Sequence, residues 1–390
     1  MTILFVLNVL LDYLYIQYCS SVFEAGRGIG GRTSTRITRR GEPAEPSTQR
    51  YQFDHGAQYL GTPHTAAFRH TLNEWNSSGW IQSWDGAFGT AASVGDGATT
   101  VDVEIEAASN KKERWVGVPR MNSISSHLLH HHNIQVQLQT RANAAPLSSS
   151  SRGGRWHLTQ AKTNDDLGTF DWLIASDRTS GARQRSDLSA ATNLQEFTTE
   201  LPQIQSIKSL TAMVVFETSL NLPLNGIKFT TPTTSSLGWA ACDSSKPGRA
   251  RNDGRECWVL QSHPDAAKTL LQGKYKLHEI RERAREVLVQ DFLHCVPALR
   301  AAVAAAAAGG GEETTAIRDL PSVVTAIGHR WGAAFPLPPP HYTDRECQLV
   351  ASAHFVACGD YFQFPGRIEG AYLSGKAAAE QLLRQPSLEL

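Results

Sequence analysis

The strongest constraint on this chain is a short run near its start, Val22-Phe23-Glu24-Ala25-Gly26-Arg27-Gly28-Ile29-Gly30-Gly31-Arg32. Apolar residues lead into a carboxylate, and a little further on paired glycines carry an arginine. A strand that ends on an acid presents a carboxylate able to accept from both hydroxyls of an adenosine ribose. The Gly30-Gly31 pair lets backbone approach a pyrophosphate closely. The fork of Arg32 matches phosphate oxygens two at a time. The run therefore predicts a strand, a tight turn and a nucleotide held at the strand tip.

Two further runs extend that reading. Phe53-Asp54-His55-Gly56-Ala57-Gln58-Tyr59 follows after a polar hairpin. Gly56 and Ala57 are small enough for a flat ring to approach, Gln58 suits hydrogen bonding to its edge, and His55 reads as structural. Near the other end, Cys358-Gly359-Asp360 closes a strand. Gly366-Arg367-Ile368-Glu369-Gly370-Ala371 and Ser374-Gly375 then open a helix. Asp360 suits a ribityl hydroxyl, and the positive helix end near Gly370 suits a phosphate or a ring carbonyl.

At 390 residues the chain has room for two or three domains and a core of its own. Lys plus Arg and Asp plus Glu are 37 each, which excludes a protein built to hold nucleic acid by its phosphates. Six cysteines without a C-x-x-C pair read as reduced thiols. Residues 1–19 are nearly all apolar. They have no basic lead and no A-x-A-like cleavage site, and Asp12 sits in their middle, which disfavours a membrane or secretory role. They read as an interior helix or strand feeding Glu24. The compartment expected is the cytoplasm or the soluble phase of an organelle, with targeting by residues 1–19 left open.

Patterning predicts helices over 62–76, from Pro119 and Asn122 to Leu129, over 276–294 and from Arg367 to Leu383. Strands are predicted at 114–118, at Ile134–Leu138, at Trp156–Leu158, at Phe170–Ala175, at Leu210–Phe216, at Val323–Trp331 and at Phe355–Cys358. Ile227–Phe229, Trp239–Ala241 and Cys257–Gln261 suggest an antiparallel sheet. Loops are expected at 86–100 and 336–340, and a flexible low-complexity insertion at 301–315. Residues 178–206 carry no clear pattern. His127 with His130, His131 and His132 reads as a solvated surface, since three consecutive histidines cannot all face one ion. Lys246 reads either as a contact for an anionic substrate or as a turn residue. No G-x-S-x-G, H-E-x-x-H or Walker loop is present.

These runs, together with WVGVPRMNSI at 115–124, WAACDSSKPGR at 239–249 and His329-Arg330-Trp331, resemble the flavin-dependent amine-oxidase superfamily over about residues 20–384. Within it they look most like the renalase-like NAD/FAD-dependent oxidoreductases. The resemblance implies an α/β fold with a Rossmann-type FAD-binding domain from 1–62, 121–180 and 331–390. An α+β substrate domain from 63–120 and 181–330 would be inserted in it. It implies non-covalent FAD, because the cysteine pattern for covalent flavin is missing. Glu24 would hold the adenosine ribose. Gly30, Gly31 and Arg32 would line the pyrophosphate and flavin edge, and Gln58 would lie beside the isoalloxazine. Gly359, Asp360, Glu369, Gly370 and Ala371 would close the site, with no metal.

The reaction implied is hydride transfer from a small C–H donor, a dihydronicotinamide-type compound or an amine, to flavin N5, with dioxygen or another acceptor reoxidising it. No catalytic side chain is identifiable. The rivals are a flavin-dependent desaturase or isomerase of an apolar substrate, and a degenerate non-catalytic protein of the same fold. One departure bears on the latter. In the family a strand and G-x-G-x-x-G turn precede the ribose acid by roughly 20 residues, yet residues 1–19 contain no glycine. The true start lies upstream, or the first exon is mis-assigned, or tight FAD binding has been lost.

Overall fold

Val22 and Phe23 point to opposite sides of the strand Ser20–Phe23, and each enters a different core. The computed structural model describes residues 19–38, 50–93, 101–147, 155–176, 204–230, 236–307, 319–338 and 340–385. Ser20–Phe23 pairs in parallel with Ile134–Gln137. Leu173–Ala175 pairs in parallel with Phe355–Ala357, and Gln348–Val350 adds antiparallel on the far edge. Val22 and Val356 share one cluster with Ala378 and Leu382 of the helix Ile368–Leu383. Phe23 and Phe355 share another with Trp156 and Leu158 of a three-stranded antiparallel sheet. The two parallel pairs thus occupy one layer, contributed by both ends of the chain.

The second layer system is a seven-stranded sheet. Its order is Val323–Leu337, Gln205–Phe216, Glu256–Ser262, Leu237–Cys242, Gly226–Phe229, Phe88–Ser93 and Val101–Ile105. The long helix Leu277–Ala307 covers one face, burying Ala284, Leu288, Phe292, Val296 and Leu299 against Leu210, Val214 and Trp258. Each such large side chain contributes about 1.5–3 kcal/mol over exposure. Leu277, expected on that stripe, is 47% exposed. By length and composition this is the one described helix able to cross a membrane, and its apolar stripe is spent on the sheet. The opposite sheet face packs Met213, Val215 and Val259 on Tyr51 and Phe53.

Helices at Ala66–Ser77, Met121–Leu129 and Ile368–Leu383 agree with the patterning. So does the antiparallel pairing of the strands at 226–229, 237–242 and 256–262. Elsewhere tertiary partners override local signals. Phe170–Ala175 is not one strand: Phe170 ends an antiparallel strand, and Leu173 begins a parallel one with a different partner. The expected loop at 86–100 contains the strand Phe88–Ser93, held by pairing on both edges despite its small residues. The expected insertion is helical through Ala307, because alanine is the best helix former and Leu299 and Val303 continue the buried stripe. The expected loop at 336–340 is strand as far as Leu337; Pro336 is tolerated on an edge strand. Residues 1–18, 94–100, 177–203 and 308–318, which carried further expectations, lie outside the described residues.

Candidate functional site

A solvent-open cleft lies between the two layer systems. One wall is the turn Gly30–Thr33. A second is Gly359, Asp360 and Ala371, and a third is Ser209, Gln261 and Trp331 of the large sheet. Gly56 and Ala57 border it, as do Phe335, Arg367 and Ile368.

The first wall needs left-handed backbone. Gly30 has φ 112° and Gly31 φ 53°, which glycine adopts without strain. Thr33 closes the turn, its Oγ1 and N both donating to Gly30 O at 2.8 Å. Arg32 is thereby aimed across the cleft. Its Nη1 donates to Ala334 O at 3.1 Å, and its Nη2 forms an ion pair with Asp360 Oδ1. A residue from each end of the chain thus meets directly at the cleft.

Gly56 permits a second crossing. A Cβ there would lie 2.0 Å from Arg32 O, the carbonyl that accepts from Ala57 N at 2.8 Å. Gln261 Nε2 donates to Gly56 O at 2.7 Å, and Trp331 Nε1 to His55 O at 2.9 Å. The FDHGAQY run is therefore pinned between the Arg32 turn and the large sheet. His55 sits against His329, ring centroids 4.7 Å apart. Burial pushes His55 down to about 4, against Asp54, which pulls it up. Burial, then His55, Arg281 and Arg36, pushes His329 down to about 3, so both rings are neutral at ordinary pH.

Behind the cleft lies a buried ionic square. Lys246 Nζ is 3.1 Å from Asp54 Oδ2 and 3.0 Å from Asp243 Oδ1. Arg249 reaches the same carboxylates at 2.8 and 2.5 Å. Burial opposes ionisation of Asp54, but Lys246 and Arg249 overcome it and hold its pKa at about 2. Lys246 is thus a turn residue, as one of its two readings had it, but a buried one that does not line the cleft. Its cation is consumed by two aspartates, one of them far away in sequence.

Of the residues expected to bind, Gly30, Gly31, Arg32, Gly359, Asp360 and Ala371 line the cleft. Glu24, Gln58, Glu369 and Gly370 do not. Glu24 is 3% exposed and its Oε1 accepts from Gly26 N at 2.5 Å. Gln58 is buried behind Gly56, donating to Asp54 O and Gly56 O and accepting from Lys246. Glu369 faces the start of helix Ala66–Ser77, where His64 and Thr65 donate to it. Gly370 gives room to the Gln363–Phe364 turn, whose carbonyl at 363 would be 2.2 Å from a Cβ. Ser209, Gln261, Trp331 and Phe335 were not foreseen as wall residues. Period-two alternation on strands that were partly foreseen, and the His-Arg-Trp run, were the signals available.

No family model matches the chain. It is similar in structure to an oxidoreductase from Methanosarcina mazei, with a TM-score of 0.57 at 9% identity over 97% of each chain. It also matches a protein provisionally named a protoporphyrinogen oxidase, from Exiguobacterium sp. 255-15, with a TM-score of 0.43 at 13% identity. That match covers 71% of this chain, which spans about half the length of that relative (53%). At such identities the likeness is one of fold. The chain has a mixed α/β fold with a large multi-stranded sheet, shared with the Methanosarcina mazei oxidoreductase.

Proposed function

We propose that this chain is a flavin-dependent oxidoreductase that holds FAD without a covalent bond and oxidises a small C–H donor. The observation that carries the reading is the meeting of Arg32 and Asp360, 328 residues apart, on one cleft. The residues present fit the cofactor. The Gly30-Gly31 turn exposes backbone without Cβ atoms, Arg32 suits the diphosphate and Asp360 a polyol hydroxyl. The helix Ile368–Leu383 starts at the cleft without a side-chain cap, so its first N–H groups remain for an anion or a ring carbonyl. The fold shared with an oxidoreductase supports the same reading.

Bound there, FAD supplies the hydride acceptor, to be reoxidised by dioxygen or another acceptor. The chain's own side chains position the donor. Trp331, Phe335 and Ile368 form an apolar flank against which its C–H portion packs. The partner is a small molecule, a dihydronicotinamide-type donor or an amine.

Incubating the purified full chain with FAD, desalting and reading the visible flavin band tests the proposal. Retention of about one flavin per chain is expected. Arg32→Ala and Asp360→Ala are each expected to weaken retention about tenfold, equivalent to about 1.4 kcal/mol. A folded wild-type chain that stays colourless overturns the reading.

A further inference from the structure

Three charged residues line the described wall of the cleft: Arg32, Asp360 and Arg367. The first two neutralise each other. Arg367 stands apart. Its nearest carboxylate is Glu369, whose Oε2 is 4.0 Å from Nε, too far for a hydrogen bond. That carboxylate is 2% exposed and already accepts from His64 N and Nδ1 and from Thr65 N and Oγ1, at 2.9–3.1 Å. Arg367 donates one hydrogen bond, from Nη2 to Thr62 O at 3.1 Å. A guanidinium carries five N–H donors, so most of its fork is open. The side chain is 40% exposed, so the open donors are reachable from solvent.

Its position is fixed by the backbone. Gly366 turns at φ 73°, donates its N–H to Asp360 O at 2.8 Å, and packs on Phe335 and Pro336. Arg367 N then donates to Phe364 O at 3.2 Å. A forked cation is thus held beside the apolar flank of Phe335 and Ile368, with no free carboxylate on the described wall.

We propose that Arg367 is a specificity-determining residue that pairs with an oxyanion, a carboxylate or a phosphate, carried by the substrate next to an apolar or ring portion. This rests on the reading of the cleft as a donor site, and it narrows the donor to an anion. A cationic amine meets like charge at Arg367 and finds Asp360 taken by Arg32.

Isothermal titration of the full chain, with and without FAD, uses four ring compounds of similar size: benzoate, phenyl phosphate, benzyl alcohol and benzylamine. At least one anion is expected to bind about tenfold or more tightly than benzyl alcohol, with benzylamine weakest. The better of the two anions identifies the source of the charge. Arg367→Gln is expected to abolish the preference and Arg367→Lys to restore part of it, both folding by circular dichroism. Equal affinities, tighter binding of benzylamine, no binding of any probe, or a preference unchanged in Arg367→Gln overturns the proposal. Flavin retention, measured in the same samples, separates its failure from failure of the FAD reading.

Discussion

Lys246 Nζ lies 3.1 Å from Asp54 Oδ2, with both side chains at most 1% exposed. The pair ties the strand that leads into FDHGAQY to the turn after Leu237–Cys242 of the large sheet. Asp54→Asn leaves Lys246 and Arg249 sharing one carboxylate in a dry site. The expected loss is about 3–5 kcal/mol of unfolding free energy, read from urea curves. Asp54 has its folded pKa held near 2, below the unfolded value of about 3.9. Its stabilisation is therefore full above about pH 4 and disappears as pH falls towards 2. The Asp54→Asn variant is expected to lose that part of the acid transition.

The two histidines shift in the same direction by another route. His55 and His329 are held neutral, at about 4 and about 3, mainly by burial. In the unfolded chain each gains a proton near pH 6.5. Stability is thus complete above that pH and falls as pH drops towards the folded values, by roughly 3 kcal/mol for His55. Replacing His329 with Gln is expected to flatten the decline between pH 6 and 4 in a series of urea titrations. An unchanged slope would contradict the assignment.

Gly56→Ala would drive a methyl group to 2.0 Å from Arg32 O. The two nearest atoms, Arg32 O and Arg32 C, are backbone, so the Arg32 turn must move. A cost of about 1–3 kcal/mol is expected, together with weaker flavin retention than in the wild-type chain. Melting curves and the visible flavin band read the two effects separately.

Glu369→Ala removes the acceptor for the four donors of His64 and Thr65. The helix Ala66–Ser77 keeps its Thr65 N-cap. A loss of about 2 kcal/mol is expected, with faster hydrogen exchange at Thr65. Because the carboxylate faces away from the cleft, flavin retention should change far less than in Asp360→Ala. An equal loss would place Glu369 in the binding machinery.

The parts of this site that were legible in the sequence are those whose function needs a local backbone shape. Gly30-Gly31-Arg32 and Gly359-Asp360 are such runs, and both reach the cleft. Glu24 directly follows its strand, and its carboxylate folds back on Gly26 N. Gln58 and Glu369 sit in suggestive runs, but a side chain's direction depends on neighbours far away in sequence. For Gln58 that neighbour is Lys246; for Glu369 it is the segment at 64–65. The ionic square was hidden for the same reason: Asp54 and Arg249 are 195 residues apart, and each alone looks like an ordinary polar residue. The strand Phe88–Ser93 was hidden because its small residues carry little β-propensity, and only its pairing makes it a strand.

The ion pair between Arg32 and Asp360 also fixes when the cleft can exist. Its halves lie 328 residues apart, so a fragment ending just before residue 360 keeps the Gly30–Thr33 turn and the large-sheet wall but lacks the wall that Gly359, Asp360 and Ala371 supply. A product cut before Asp360 therefore leaves Arg32 without its carboxylate and the cleft open on one side, however well the large sheet had formed.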